Sequence, residues 1–232
     1  VRDHPPRQVA GGVAASKGFT RPEPGDRADR RGLYDRGLKR WFDLAAVILM
    51  APAALPLILL LALCVAMDGH GPFFRQKRVG RGGRVYTMWK LRSMVHDAEA
   101  RLEAHLLADP AARLEWDVTQ KLRQDPRITR FGRFLRKTSL DELPQLWNVL
   151  TGDMSLVGPR PMLPDQQHLY PGTAYYALRP GITGPWQVTS RHTSGFSERA
   201  HYDAAYLSEM SLLTDLRLLG ATVGVVVNGT GC

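Results

Sequence analysis

One uninterrupted apolar run constrains this 232-residue chain more than any other feature: from Leu44 to Met67, 24 residues pass without a charge, dense in Leu, Ala, Val and Ile. As a straight helix the run measures roughly 36 Å, enough to cross a hydrocarbon core of about 30 Å. A membrane segment is therefore the first reading. Pro52 and Pro56 lie inside the run; each removes a helical hydrogen bond and pushes the preceding residue away from helical angles. Both flanks are basic, with Arg36, Lys39 and Arg40 before the run and Arg75, Lys77, Arg78, Arg81 and Arg84 after it. Lys and Arg favour the cytoplasmic side, so a crossing helix is expected to show asymmetry. Positive charge at both ends fits a helix-break-helix hairpin over residues 36–72 that enters and leaves one leaflet. A proline-kinked full span is the alternative.

Charge narrows the choice of partners. The chain holds 31 Lys and Arg against 22 Asp and Glu, a formal +9. Such a surface attracts anions: nucleic acid, phosphorylated substrates or an acidic membrane face. No groove-reading helix or set of interleaved aromatics marks a nucleic-acid module, so nucleic acid is not expected as a partner. The two cysteines, Cys64 and Cys232, form no disulfide framework and suit a reducing compartment. Residues 1–35, rich in Pro, Gly, Arg and Asp, are expected to be a disordered basic tail without a cleavable signal.

Beyond the apolar run the pattern is mixed α/β and mainly helical. Phe73 to Trp89 alternates apolar and basic residues around Gly80-Arg81-Gly82-Gly83, which predicts a β-hairpin. Val95 to Lys121 reads as two helices divided by Pro110. Ile128, Phe131, Phe134 and Leu135 share one helical face while Arg127, Arg130 and Arg133 lie largely elsewhere. That arrangement suits an interfacial amphipathic helix on anionic lipid, and core packing explains the stripe as well. A helix around Glu198 to Met210 and an apolar tail, Leu216 to Val227, close the chain.

Chemistry concentrates at Ser139-Leu140-Asp141-Glu142-Leu143-Pro144-Gln145, which follows five basic residues between Arg127 and Lys137. Ser139 with Glu142 three residues on has the spacing of a capping box, and a helix dipole alone favours Asp141. The neighbours favour phosphate chemistry. Arg136 is five residues upstream, and Arg160 stands between Pro159 and Pro161, which restrict its backbone and present its planar fork at reduced entropic cost. A carboxylate that meets a diphosphate needs its repulsion screened by cations or Mg²⁺.

Several long motifs, in order, resemble the bacterial sugar transferases of the monotopic phosphoglycosyl transferase family. They are Lys39-Arg40-Trp41-Phe42-Asp43, Phe74-Arg75-Gln76-Lys77-Arg78-Val79-Gly80, Lys90-Leu91-Arg92-Ser93-Met94, Thr138 to Gln145, Gly152 to Pro161 and Arg179-Pro180-Gly181-Ile182-Thr183-Gly184. The resemblance implies transfer of a sugar-1-phosphate from a UDP-sugar to undecaprenyl phosphate, releasing UMP, as the first membrane step of exopolysaccharide or glycan synthesis. It implies Asp141 as nucleophile of a covalent phosphosugar intermediate, with Glu142 supporting a metal or the acceptor's proton and Mg²⁺ assisting at Asp141 and Glu142. It further implies Lys90, Arg92, Arg136 and Arg160 as phosphate contacts, Gln187 and Arg191 as nucleotide or sugar contacts, and residues 73–232 as a cytoplasmic catalytic domain on the bacterial inner membrane. Homodimerisation is left open.

Two departures stand out. The family's usual Ser-Pro at the membrane break is Ala51-Pro52 here, and Thr189-Ser190-Arg191 replaces a more usual small residue, Gly and Arg. The chain resembles the short form, without an additional multi-span domain. Two other functions compete: a membrane-tethered basic scaffold, and an enzyme that passes only the sugar to lipid and leaves UDP.

Overall fold

A computed structural model describes residues 34–119, 122–189 and 195–227. Residues 1–33, which carry most of the expected tail, lie outside the described residues, as does Arg191.

The apolar run forms one helix, α1, Lys39–Ala66. The expected break at Pro52 is absent, and helical structure continues through both prolines. The physical reason is placement. Pro52 and Pro56 are four residues apart, so they share one face, and both are exposed while Ala54 on the other face is buried. Each proline then costs one helical hydrogen bond without driving its ring into packed neighbours. Only 22% of the most apolar stretch of α1 is buried, so protein alone does not cover it. Leu49, Leu55, Leu59, Leu60 and Leu63 all point outward.

Both ends of α1 rest on the same globular body. At the first turns, Lys39 pairs with Asp215 at 2.6 Å, Arg40 donates to the carbonyls of Val149 and Leu150, and Asp43 accepts from the Leu156 amide at 3.1 Å. Near the last turns, Leu61, Ala62 and Val65 pack with Leu91 and Leu135. Burying each leucine there contributes about 1.5–3 kcal/mol relative to exposure.

The body begins with the expected hairpin. Strands β1, Phe73–Val79, and β2, Val85–Leu91, pair antiparallel from Phe73↔Leu91 to Val79↔Val85. Gly82 and Gly83 take positive φ in the turn, where a side chain is strained. Helices α2, Ala98–Ala108, and α3, Pro110–Thr119, follow, divided at Pro110 as the sequence predicts.

Helix α4, Arg130–Lys137, starts at Thr129, whose hydroxyl accepts from the Gly132 amide at 2.8 Å. Its apolar face serves the core: Leu135 is fully buried and Phe131 packs beside it, while Phe134, Arg130 and Arg133 face outward. The interfacial reading keeps only that outer face. Helix α5, Gln145–Thr151, then leads into β3, Ser155–Val157.

The Pro- and Gly-rich stretch resolves into short pieces. A 3₁₀ turn covers Pro164–Leu169, and α6, Ala174–Ala177, precedes β4, Gly181–Thr183, which pairs parallel with β3. Helices α7, Pro185–Thr189, α8, Arg199–Glu209, and α9, Leu212–Val227, complete the described chain. The main core gathers Val47 of α1, Tyr86 and Met88 of β2, Val149 of α5, Leu156 and Val157 of β3, and Tyr206 of α8.

Candidate active site

The acidic pair does not open a helix in the expected way. Ser139 sits in left-handed backbone, φ 56°, and makes no side-chain cap. Its amide, which a capping box would offer to Glu142, donates instead to the Arg136 carbonyl at 3.2 Å. The capping box is therefore absent, because the amide that would donate to Glu142 already donates elsewhere. A short 3₁₀ turn, Leu140–Glu142, carries the pair, and Pro144 caps the separate helix α5. The Glu142 carboxylate turns to a side chain instead.

Lys90 on β2 takes it. Its Nζ lies 2.6 Å from Glu142 Oε1 and 3.7 Å from Asp141 Oδ2. Asn148 of α5 fixes the two elements against each other. Its Oδ1 accepts from the Trp89 amide at 3.1 Å, and its Nδ2 donates to the Thr87 carbonyl at 2.8 Å. One buried amide thus sets where the strand carrying Lys90 meets the helix that follows the acidic pair.

Asp141 is 7% exposed. Burial pushes its carboxyl above the ordinary carboxylate range; Lys90 opposes this, Glu142 adds to it, and Arg136 opposes it again. Desolvation penalises the charged form, and opposite charges within reach restore it. Burial and the neighbouring cations therefore pull its protonation in opposite directions, with burial the larger effect.

A cleft of ≈ 870 Å³ opens over the pair. Lys90, Arg92, Arg136, Asp141, Glu142 and Arg160 all line it, so the structure brings six of the expected site residues together. Their roles differ. Arg136 donates through Nε to Ser93 Oγ at 2.8 Å. Arg160 lies with its guanidinium 5.8 Å from the Trp186 ring and makes no hydrogen bond among the described residues. Arg92 is engaged throughout: its five N–H groups reach Asp68, the carbonyls of Val65 and Gly71, and the carbonyl of Met94. It tethers the end of α1 to the hairpin. Gln187 is not among the residues lining the cleft; it donates to the Ile182 carbonyl at 2.8 Å. Arg191 lies outside the described residues.

The sequence reading missed Arg78 and Gln76 as site residues. Both line the cleft, and Arg78 donates to Gln76 Oε1 at 2.6 Å and to the Pro161 carbonyl at 3.1 Å. Burial lowers the Arg78 pKa, and the charge of Arg160 lowers it further. The signal was present in the strand period. Phe74, Gln76 and Arg78 alternate onto one face, with Phe74 directly opposite Lys90, as a two-residue repeat requires.

A buried Asp141 and a half-buried Glu142 thus share one lysine in a cleft that Arg78, Arg92, Arg136 and Arg160 also line, in a chain that carries one long, apolar, largely exposed helix. Residues 34–229 match the model of the bacterial sugar transferase family, and the chain belongs to that family. It is 46% identical over 198 residues to a UDP-galactose-lipid carrier transferase of Erwinia amylovora, covering 84% of this chain and 42% of that protein. It is 44% identical over 198 residues to an undecaprenyl-phosphate galactose phosphotransferase of Salmonella typhimurium, with the same shares covered. An exopolysaccharide production protein, ExoY, of Sinorhizobium fredii is 40% identical over 196 residues, 83% of this chain and 87% of that protein. The chain thus spans less than half the length of the first two relatives and most of the third.

Proposed function

We propose that this chain transfers a sugar-1-phosphate from a UDP-sugar to undecaprenyl phosphate and releases UMP. The observation that carries the reading is the pairing of a buried, cation-held Asp141 with a cleft lined by Lys90, Arg78, Arg136 and Arg160. The relatives' names supply the substrate class.

In the first step an Asp141 oxygen attacks the sugar-bearing phosphorus of the UDP-sugar. The bond from that phosphorus to the bridging oxygen breaks, and UMP leaves with its electron pair. In the second step a phosphate oxygen of undecaprenyl phosphate attacks the same phosphorus, and the Asp141 carboxylate leaves. The lipid now carries a diphosphate-linked sugar, and no oxidant or reductant is required. Covalent catalysis divides one transfer into two easier ones, and fixed cations stabilise the charge at each phosphorus. Lys90 holds Glu142 beside the reacting carboxylate and screens Asp141. Arg136, Arg160 and Arg78 face the phosphate oxygens, whereas Arg92 acts as a tether.

Asp141 and Glu142 also fit Mg²⁺, which is commonly bound by one or two carboxylates together with substrate phosphates and waters. When bound, it supplies charge neutralisation at the diphosphate.

Helical structure is unbroken through Pro52 and Pro56, and it is the contact of both ends of α1 with one body, not a break in the helix, that supports a re-entrant seat on one leaflet. A straight helix of 28 residues would be about 42 Å long, longer than the hydrocarbon core, yet both its ends touch one body. A body that holds both ends does not lie on two sides of a bilayer. The cytoplasmic face of a bacterial inner membrane, where a nucleotide sugar is at hand, completes the proposal.

Incubating membranes carrying the protein with UDP-sugars, Mg²⁺ and undecaprenyl phosphate tests it. The expected product is UMP, lost in Asp141→Asn; accumulation of UDP instead would assign the chain to simple glycosyl transfer.

A further inference from the structure

A second cavity, of ≈ 360 Å³, lies at the opposite end of the hairpin from the cleft, against the first turns of α1. Arg40, Arg81 and Arg179 line it, with Trp41 and Leu44 at its apolar side and one carboxylate, Asp35. Lys39 lines it too but is committed to Asp215. Asp35 is the one carboxylate in the lining, against three arginines. Arg40 is aimed by the carbonyls of Val149 and Leu150, and Arg179 by the Gly152 carbonyl at 3.0 Å. Arg81, on the hairpin turn, is exposed, and its side chain makes no hydrogen bond among the described residues. Burial lowers the Arg179 pKa first, and then Arg81 and Arg40 do so; Asp43 and Asp35 offset part of this. Three guanidinium groups against one carboxylate leave the space cationic and suited to an anion.

The surroundings state which anion. Trp41 is 72% exposed and Trp147, on the neighbouring α5, 60% exposed, a pair of tryptophans of the kind that sits at headgroup level. Basic pockets beside membrane helices on the cytoplasmic side hold acidic headgroups.

We infer that this cavity binds the headgroup phosphate of an anionic membrane phospholipid, its acyl chains running along Trp41 and Leu44 of α1. The site is separate from the catalytic cleft. It rests on the placement of α1 in a bilayer and not on the reaction assigned to Asp141. Its effect is to fix the depth and tilt of the hairpin whose far end carries Lys90.

The test uses the full chain reconstituted in phosphatidylcholine vesicles with phosphatidylglycerol, extracted in mild detergent and weighed intact by native mass spectrometry. The expected result is retention of one phosphatidylglycerol in preference to phosphatidylcholine. Arg81→Gln reduces that preference about five-fold, the equivalent of ~1 kcal/mol per charge near the surface. Adding Arg179→Gln reduces it further, with thermal melting as the check on folding because Arg179 also holds Gly152. Arg84→Gln, on the same turn but outside the cavity, leaves the preference intact. Equal losses in Arg84→Gln and Arg81→Gln would reduce the effect to diffuse surface charge and overturn the inference. So would displacement of the lipid by inorganic phosphate, which would make the site one for a free anion. A chain that binds no vesicle of either composition refutes the membrane placement itself, a different failure from equal retention of both lipids.

Discussion

As the proposed nucleophile, Asp141 must be ionised in a setting that disfavours charge. Its carboxyl is raised by burial, so the ionised fraction is lost as pH falls through a value above the ordinary ~3.9. The acid limb of kcat/KM is therefore expected above that value. Lys90→Met removes the nearest opposing cation and moves the limb to still higher pH. A lysine that merely packs would change the amplitude without moving the limb. Stability follows the opposite sign. A folded-state pKa raised above the unfolded one means the native state holds the proton more tightly, so at neutral pH the ionised group opposes folding. Asp141→Asn is expected to lower turnover by about 10³-fold or more while raising the melting temperature. A variant that loses activity and melts earlier would point to a structural carboxylate.

Elements decide whether those residues meet. Asn148 satisfies two backbone groups of β2 from α5. Asn148→Leu leaves both without their partner and is expected to cost about 1–3 kcal/mol, measured by denaturant unfolding, with activity falling alongside. Gly132 sets a second limit: a Cβ there overlaps the Ser93 carbonyl oxygen. Gly132→Ala forces α4 away from the strand and displaces Arg136, so stability and turnover should both fall. Much at this scale was legible in the sequence. The alternation around Gly80 to Gly83 predicts the hairpin, Pro110 divides two helices, and the acidic pair with Arg136 and Arg160 marks the cleft. Other features were not legible, for physical reasons. The β3–β4 pair joins two three-residue strands across 23 intervening residues, too short for a period to register. The capping box failed because the Arg136 carbonyl claimed the amide that defines it. Arg92 lines the cleft as expected, and only its partners reveal that it also ties the end of α1 to the hairpin.

The whole molecule adds orientation. Both ends of α1 are held by one body, so residues flanking the helix are expected on the same side of the membrane. With Cys64 and Cys232 replaced by Ala, single cysteines at Leu38→Cys and Met67→Cys, both exposed positions, should react with an impermeant maleimide from the cytoplasmic side alone. Labelling from opposite sides would establish a full crossing. In the proposed reaction that seat would bring a lipid phosphate and a soluble nucleotide sugar to one carboxylate. The most direct test of this claim is a single turnover of the full chain in nanodiscs with its UDP-sugar and Mg²⁺, without undecaprenyl phosphate. The account predicts a burst of one UMP per active chain, with the mass of one sugar phosphate added at Asp141 and removed when undecaprenyl phosphate is supplied. UMP that appears only after the lipid is added, with no mass gained at Asp141, would contradict it.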